Sequence, residues 1–259
     1  MGSGIGPAQG ALRGCRALVT GSSSGIGRHI GLALARLGVD VAFNYRQHRE
    51  AAEEAAATAR DVGVRAVALG GDCADPEQVR ELVAQTALHL GGIELLINNV
   101  GEFAYKRLRA HRPAEFERII AGTVGATFHA TIAALPHMRR TGFGRVVNLG
   151  AAGAEQAMGG RREGPHLAGK AAVVSLTRSF ALEEAGYGVT FNVVCPGIVD
   201  DRELRRDEAV LRQDRASPVG RPGTSEDVVD AVLFLCRRES SFINGAVIAV
   251  TGGWQGNLG

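Results

Sequence analysis

Thr20-Gly21-Ser22-Ser23-Ser24-Gly25-Ile26-Gly27 is the stretch on which the fold turns. Ahead of it residues 16–20 read as a short buried strand, and behind it residues 26–37 carry helical period. Glycines at such a corner let the backbone turn sharply and approach a bound group closely. The helix that starts there offers unpaired N–H groups and the positive end of its dipole, which together favour a pyrophosphate. A glycine-rich turn alone can also be a tight connection with no ligand. Its place after the first strand and at the mouth of a helix favours a nucleotide.

Outward from this corner, short apolar runs alternate with longer helical ones. Strands are expected at 16–20, 40–44, 65–69, 93–97, 145–149, 189–194 and 246–250, and helices at 26–37, 49–62, 76–90, 113–140, 165–185 and 225–236. That alternation predicts an α/β fold: one doubly wound, Rossmann-type domain with a seven-stranded parallel sheet and helices on both faces. Asp75 before Pro76 reads as an N-cap with proline in the first turn, and Thr224 with Asp227 as a capping box. The glycine-rich residues 1–13 read as a flexible leader outside the fold, leaving 14–259 as the domain. Residues 200–223 are densely charged, end in two prolines, and predict a polar, mobile lid over one edge.

Composition narrows the functional classes. The 259 residues are 45% hydrophobic and 22% charged, enough to bury roughly three quarters of the extended chain's surface. Basic and acidic side chains, 29 against 27, nearly cancel to +2, which argues against a nucleic-acid partner. No apolar run approaches the roughly 20 residues that cross a bilayer, so no membrane partner is expected. Cys15, Cys73, Cys195 and Cys236 lie far apart with no metal-binding or redox spacing, which points to no metal and to a reducing, cytoplasmic setting.

The corner's Gly-x-x-x-Gly-x-Gly spacing, Asn98-Asn99-Val100-Gly101 after the fourth strand, Lys170 on a helix and Pro196-Gly197-Ile198 after the sixth strand occur in an order that resembles the short-chain dehydrogenase/reductase family. The similarity is greatest to its 3-oxoacyl-ACP-reductase-like members and covers the whole domain. The resemblance implies a nicotinamide cofactor and a homodimer or homotetramer built through the long helices. It places Gly21, Ser23, Ser24, Gly25, Ile26 and Gly27 on the cofactor, Asp72 and Cys73 beside the adenine, and Asn99, Val100 and Gly101 along the adenosine ribose. Pro196, Gly197 and Ile198 fall near the nicotinamide. An acid at the end of the second strand would select NAD by binding a ribose hydroxyl and repelling a 2′-phosphate. The sequence there is Asn44-Tyr45-Arg46, so Arg46 is expected on a phosphate and Tyr45 against the adenosine, favouring NADP with NAD as the alternative.

The catalytic set departs from the family. The resemblance implies a proton-donating tyrosine four residues before the lysine, a serine after the fifth strand and an asparagine in the preceding long helix. At these places stand His166, Ala151 within Gly150-Ala151-Ala152, and Thr123. Lys170 keeps the ribose-binding role. His166 either polarises a carbonyl, as a ring kept neutral by the Lys170 ammonium, or fills the vacated space. Tyr105 is a candidate displaced acid. Arg161, Arg162, Arg202, Arg205 and Arg206 are candidates to grip an anionic substrate such as an acyl thioester, and Asp201 to accept a bond from a carboxamide. Two functions follow: an NADP(H)-dependent oxidoreductase acting on a carbonyl or secondary alcohol, or a catalytically lapsed nucleotide-binding protein with a sensing or structural role.

Overall fold

The computed structural model describes residues 12–199, 204–214 and 217–254, so residues 1–11 of the expected leader lie outside it. Seven strands, β1 (Arg16–Val19), β2 (Asp40–Tyr45), β3 (Ala66–Gly70), β4 (Leu95–Asn98), β5 (Gly144–Leu149), β6 (Val189–Pro196) and β7 (Val247–Val250), form one parallel sheet in the order 3-2-1-4-5-6-7. The direction of winding reverses between β1 and β4. In an open parallel sheet that reversal leaves a crevice beyond the carboxyl ends of the two strands, and the glycine corner opens into it.

Side chains alternate across the sheet as the period of two requires. Ala17, Val19, Val41, Phe43, Leu95 and Ile97 face one way. They pack under α1 (Gly25–Arg36), α2 (Arg49–Asp61) and α8 (Ser225–Cys236) through Ile30, Leu34, Ala55, Ala59, Val228 and Val232. Leu18, Ala42 and Leu96 face the other way, under α3 (Pro76–Leu90), α5 (Ala126–Thr141) and α6 (Gly164–Glu184). Both expected helix starts are present. Asp75 accepts from the amides of Glu77 and Gln78 at 2.9 and 3.3 Å, and the Asp227 carboxylate accepts from the Thr224 amide at 2.9 Å.

Three expectations need correction. The helix expected over 113–140 is α4 (Pro113–Ile120) and α5 joined by one over-wide turn, Ala121–Gly125. Such a turn inserts a residue without ending the helix, and here it runs through two glycines. The resulting rod, Pro113–Thr141, contains an 18-residue window of mean hydropathy 1.4, long and apolar enough by composition to cross a bilayer, although the sequence predicted no such run. Half of that window is buried inside the protein. Finally, the described part of the 200–223 segment is tied down. Its short helix α7 (Arg206–Ala209) is held to α8 by Arg206, whose guanidinium lies 2.7 Å from Asp230 and 3.1 Å from Asp227.

Candidate active site

The glycine corner is held open from behind. Asn99 donates through Nδ2 to the carbonyl oxygens of Thr20 and Gly21 at 3.1 and 2.9 Å, and Asn44 Oδ1 accepts from the Gly21 amide at 3.0 Å. A Cβ on Gly27 would sit 2.6 Å from Asn99 Nδ2, so only glycine lets α1 approach this brace. Gly21 and Gly25 have φ of +59° and +55°, a conformation that favours glycine. Ser24 makes no side-chain cap, and the first turn of α1 has no acid. The leading amides of α1 therefore keep the unfilled hydrogen-bonding capacity that an anion needs.

From this corner a cleft runs along the carboxyl ends of the strands as three cavities. The first, about 360 Å³, is lined by Gly21, Ser23, Ser24, Asn44, Arg46, Asp72, Cys73, Asn99, Val100, Gly101, Glu102 and Gly122 among others. The second, about 260 Å³, shares Asn99 and Gly101 with it and adds Ile26, Leu149, Ala151, His166, Lys170, Pro196 and Gly197. The third, about 270 Å³ and the outer one counted from the glycine corner, shares Ala151, His166, Pro196 and Gly197 and is walled by Phe103, Met158, Leu167, Ile198 and Trp254. The succession matches the shape of a dinucleotide followed by a small molecule, so the residues present fit a nicotinamide nucleotide.

Arg46 lines the first cavity, but acids surround it. It pairs with Glu102 and lies 3.9 Å from Asp72, while Arg118 reaches the same two carboxylates at 3.0 and 3.8 Å. Glu102 and Arg118 are residues that sequence reasoning missed. Glu102 follows directly on the Asn99-Val100-Gly101 motif and was findable from that adjacency, whereas Arg118 reaches the site from α4 with no local signal. Tyr45 is not in the lining. Side chains alternate along β2, and its ring packs toward Gly70 on β3, where an added Cβ would be 3.3 Å away. The buried Cys73 thiol is pushed up to about 12, chiefly by burial, and hydrogen-bonds Asn44 Oδ1 at 3.3 Å.

Lys170 and His166 meet over Gly101, where an added Cβ would lie 2.9 Å from Lys170 Nζ and 3.6 Å from His166 Cε1. Lys170 is buried on α6, donates to the Leu149 carbonyl oxygen at 2.6 Å, and is pulled down to about 8 by burial. His166 Nδ1 lies 2.9 Å from the Glu102 carbonyl oxygen, and the Phe103 ring meets it edge-on at 5.2 Å. The imidazole is held below its ordinary range, as expected, but burial is the larger cause and the Lys170 ammonium the smaller.

Other candidates fall elsewhere. Thr123 sits in the wide turn behind α6, fully buried against Gly169, and its hydroxyl has no partner among the described residues. It does not reach the cleft. Tyr105 is 60% exposed beneath Arg162 and is not among the residues that line the three cavities. Arg161 lines the outer cavity. Arg205 and Arg206 are engaged by Asp207, Asp227 and Asp230 and are not among the residues lining the three cavities; Arg202 and Asp201 lie outside the described residues.

Residues 21–255 match the family profile described as Enoyl-(Acyl carrier protein) reductase. The 3-oxoacyl-[acyl-carrier-protein] reductase FabG of Staphylococcus aureus is 33% identical over 239 residues, 92% of this chain and 96% of that one. Gluconate 5-dehydrogenase of Gluconobacter oxydans is 33% identical over 247 residues, covering 94% and 95%. Among solved structures, a short-chain type dehydrogenase/reductase from Mycobacterium marinum superposes with a TM-score of 0.83 at 31% identity, covering 94% of this chain and 96% of that one.

Proposed function

Since the chain belongs to the short-chain dehydrogenase/reductase family and is an NAD(P)-dependent oxidoreductase, we propose that it uses NADP(H) and acts on a small carbonyl or secondary alcohol with an apolar body. The observation that carries this reading is the single cleft linking the free amides of α1 to Lys170, His166 and the apolar outer cavity.

Gly21, Ser23, Ser24 and the first turn of α1 hold the diphosphate, with Asn99, Val100 and Gly101 along the ribose and Cys73 at the adenine. Arg46, with Arg118 beside it, takes the 2′-phosphate in exchange for Glu102 and Asp72. Lys170 binds the second ribose, and its buried ammonium adds positive potential where oxygen charge changes. A bound nicotinamide would supply the hydride exchange with the substrate carbon. Phe103, Met158, Leu167, Ile198 and Trp254 exclude water from the substrate, and Arg161 at this cavity fits an anionic or acyl-thioester tail. The family's assembly as a homodimer or homotetramer and a cytoplasmic location belong to the same reading; the four free, buried cysteines agree with a reducing compartment.

Bare Ala151 and the hidden hydroxyl of Thr123 favour the alternative of nucleotide binding without turnover, against which stand the redox activities named for the relatives above. Calorimetric titration with NADPH and NADH, followed by absorbance at the nicotinamide band with ketones, secondary alcohols and 3-oxoacyl thioesters, separates binding from turnover. Tight NADPH binding with turnover supports the reading. Binding of neither nucleotide sinks it.

A further inference from the structure

The geometry points to His166 as the base that takes the hydroxyl proton of a secondary alcohol, so that this site is built to oxidise an alcohol rather than to donate a proton to a carbonyl. The inference deepens the proposed function and rests on it. It starts from one hydrogen bond. His166 Nδ1 lies 2.9 Å from the Glu102 carbonyl oxygen, and a carbonyl oxygen has no proton to give, so Nδ1 carries the hydrogen. In a neutral imidazole the other nitrogen is then a bare lone pair. Nε2 has no partner among the described residues and keeps contact with solvent, in a ring that lines both the inner and the outer cavity. A neutral His166 therefore accepts at Nε2, and polarising a carbonyl, as the sequence suggested, needs the opposite tautomer.

The surroundings agree. Burial first, and then Lys170, one turn along α6 and the cation that acts on the ring among the described residues, disfavour an imidazolium. From the neighbouring loop Glu102 offers only its carbonyl, because its carboxylate is turned to Arg46 and Arg118. Phe103 covers an edge of the ring, and Gly101, Ala151, Pro196 and Gly197 bring no charge. Arg161 and Glu163, of opposite sign, line the outer cavity. The wall is also poor in donors for a carbonyl oxygen. Ala151 and Ala152 carry no hydroxyl, Thr123 is buried behind α6, and Lys170 has one proton on Leu149. An alcohol brings its own donor to such a wall.

The step balances as follows. The O–H bond breaks and its proton moves to Nε2, while the electron pair it leaves becomes the second carbon–oxygen bond. The carbinol C–H bond breaks with its pair, and the hydride reduces the oxidised nicotinamide nucleotide. The imidazolium keeps Nδ1–H on the Glu102 carbonyl and sheds the Nε2 proton to solvent. Reversal requires that imidazolium, which is scarce at neutral pH.

Long-range proton–nitrogen correlation spectra of the full chain labelled with nitrogen-15 test the tautomer directly, with His166→Gln assigning the ring. A protonated Nδ1, a bare Nε2 and a midpoint below the ordinary value of about 6.5 are expected; a protonated Nε2 at about pH 7.5 overturns the inference. In parallel, oxidation of 2-heptanol, cyclohexanol and 1-phenylethanol with NADP+ should rise with pH through that midpoint, and reduction of the matching ketones should fall. His166→Gln should slow oxidation by about 100-fold or more while NADP+ affinity, read by calorimetry, stays unchanged and reports an intact fold; His166→Asn repeats the test if glutamine disturbs the packing. Oxidation indifferent to these substitutions, or no oxidation by a native chain that binds NADP+, overturns the inference and leaves the binding reading in place. Failure to bind nucleotide removes that reading instead, and the tautomer can still be read.

Discussion

Lys170 Nζ lies 2.6 Å from the carbonyl oxygen of Leu149, so the last residue of β5 anchors a buried ammonium at the mouth of the cleft. The ammonium loses hydration there and has no carboxylate partner among the described residues, which agrees with burial pulling Lys170 down to about 8. Between that value and the unfolded one of about 10.4, the unfolded chain binds more protons than the folded chain. Stability from this group therefore rises with pH across that window. Lys170→Met should abolish the rise, seen by comparing urea midpoints near the two ends of the window in native and variant chains. The same substitution should weaken NADPH binding by about 10-fold or more, the scale of a hydrogen bond from a charged group.

Arg46 and Glu102 form an ion pair at the first cavity, and a 2′-phosphate bound at Arg46 would have to displace that carboxylate. Arg46→Ala should weaken NADPH by about 10- to 100-fold and leave NADH nearly unchanged. Glu102→Gln should act the other way and strengthen NADPH binding, since it removes the competing charge but keeps the backbone carbonyl under His166. Calorimetry with both nucleotides on both variants checks the pair. Equal losses for NADPH and NADH in Arg46→Ala would refute the selectivity role.

Ala151 faces both the inner and the outer cavity beside His166. Ala151→Ser places a hydroxyl donor where the wall has none, and a preorganised donor at a reacting oxygen contributes most when that oxygen carries charge. Carbonyl reduction should gain relative to alcohol oxidation at fixed pH, read as the ratio of the two kcat values. An unchanged ratio would mean that position 151 does not reach the reacting oxygen.

Asp227 closes the N-terminus of α8, with Arg221 at 2.8 Å and the Thr224 amide and hydroxyl at 2.9 Å. The Arg221 guanidinium first, and the Thr224 bonds after it, hold the carboxyl well below the usual carboxylate range. A depressed folded value means stability that is fully present above the unfolded value of about 3.9 and lost as pH falls toward the folded one. Asp227→Asn should cost about 1–2 kcal/mol at neutral pH, as caps do, and flatten the acid limb of the stability profile. Urea unfolding across the acid range measures both effects.

The corner, the alternation of strands and helices and both helix caps were legible because each is written in neighbouring residues. Tyr45, expected against the adenosine, turns its ring toward Gly70 for a local reason: it adjoins Asn44 on a strand, and neighbouring strand residues face opposite ways. Arg118 could not be found that way. It meets Glu102 from 16 positions along the chain, and Glu102 meets Arg46 from 56 positions away, distances over which no periodicity reports contact. Thr123 matched by order but was buried by the wide turn, a backbone event with no signature beyond its two glycines.

By itself the sequence determined the parallel doubly wound sheet, the glycine corner and the identity of the side chains at the candidate catalytic positions, because hydrophobic period, glycine spacing and residue type are local properties. Only the tertiary structure decided which of those side chains line the cleft and which groups face them. That difference has a physical origin: a tautomer is chosen by the group facing the other ring nitrogen, and the Glu102 carbonyl is brought to His166 by the meeting of the β4 loop with α6, 64 residues away in the chain.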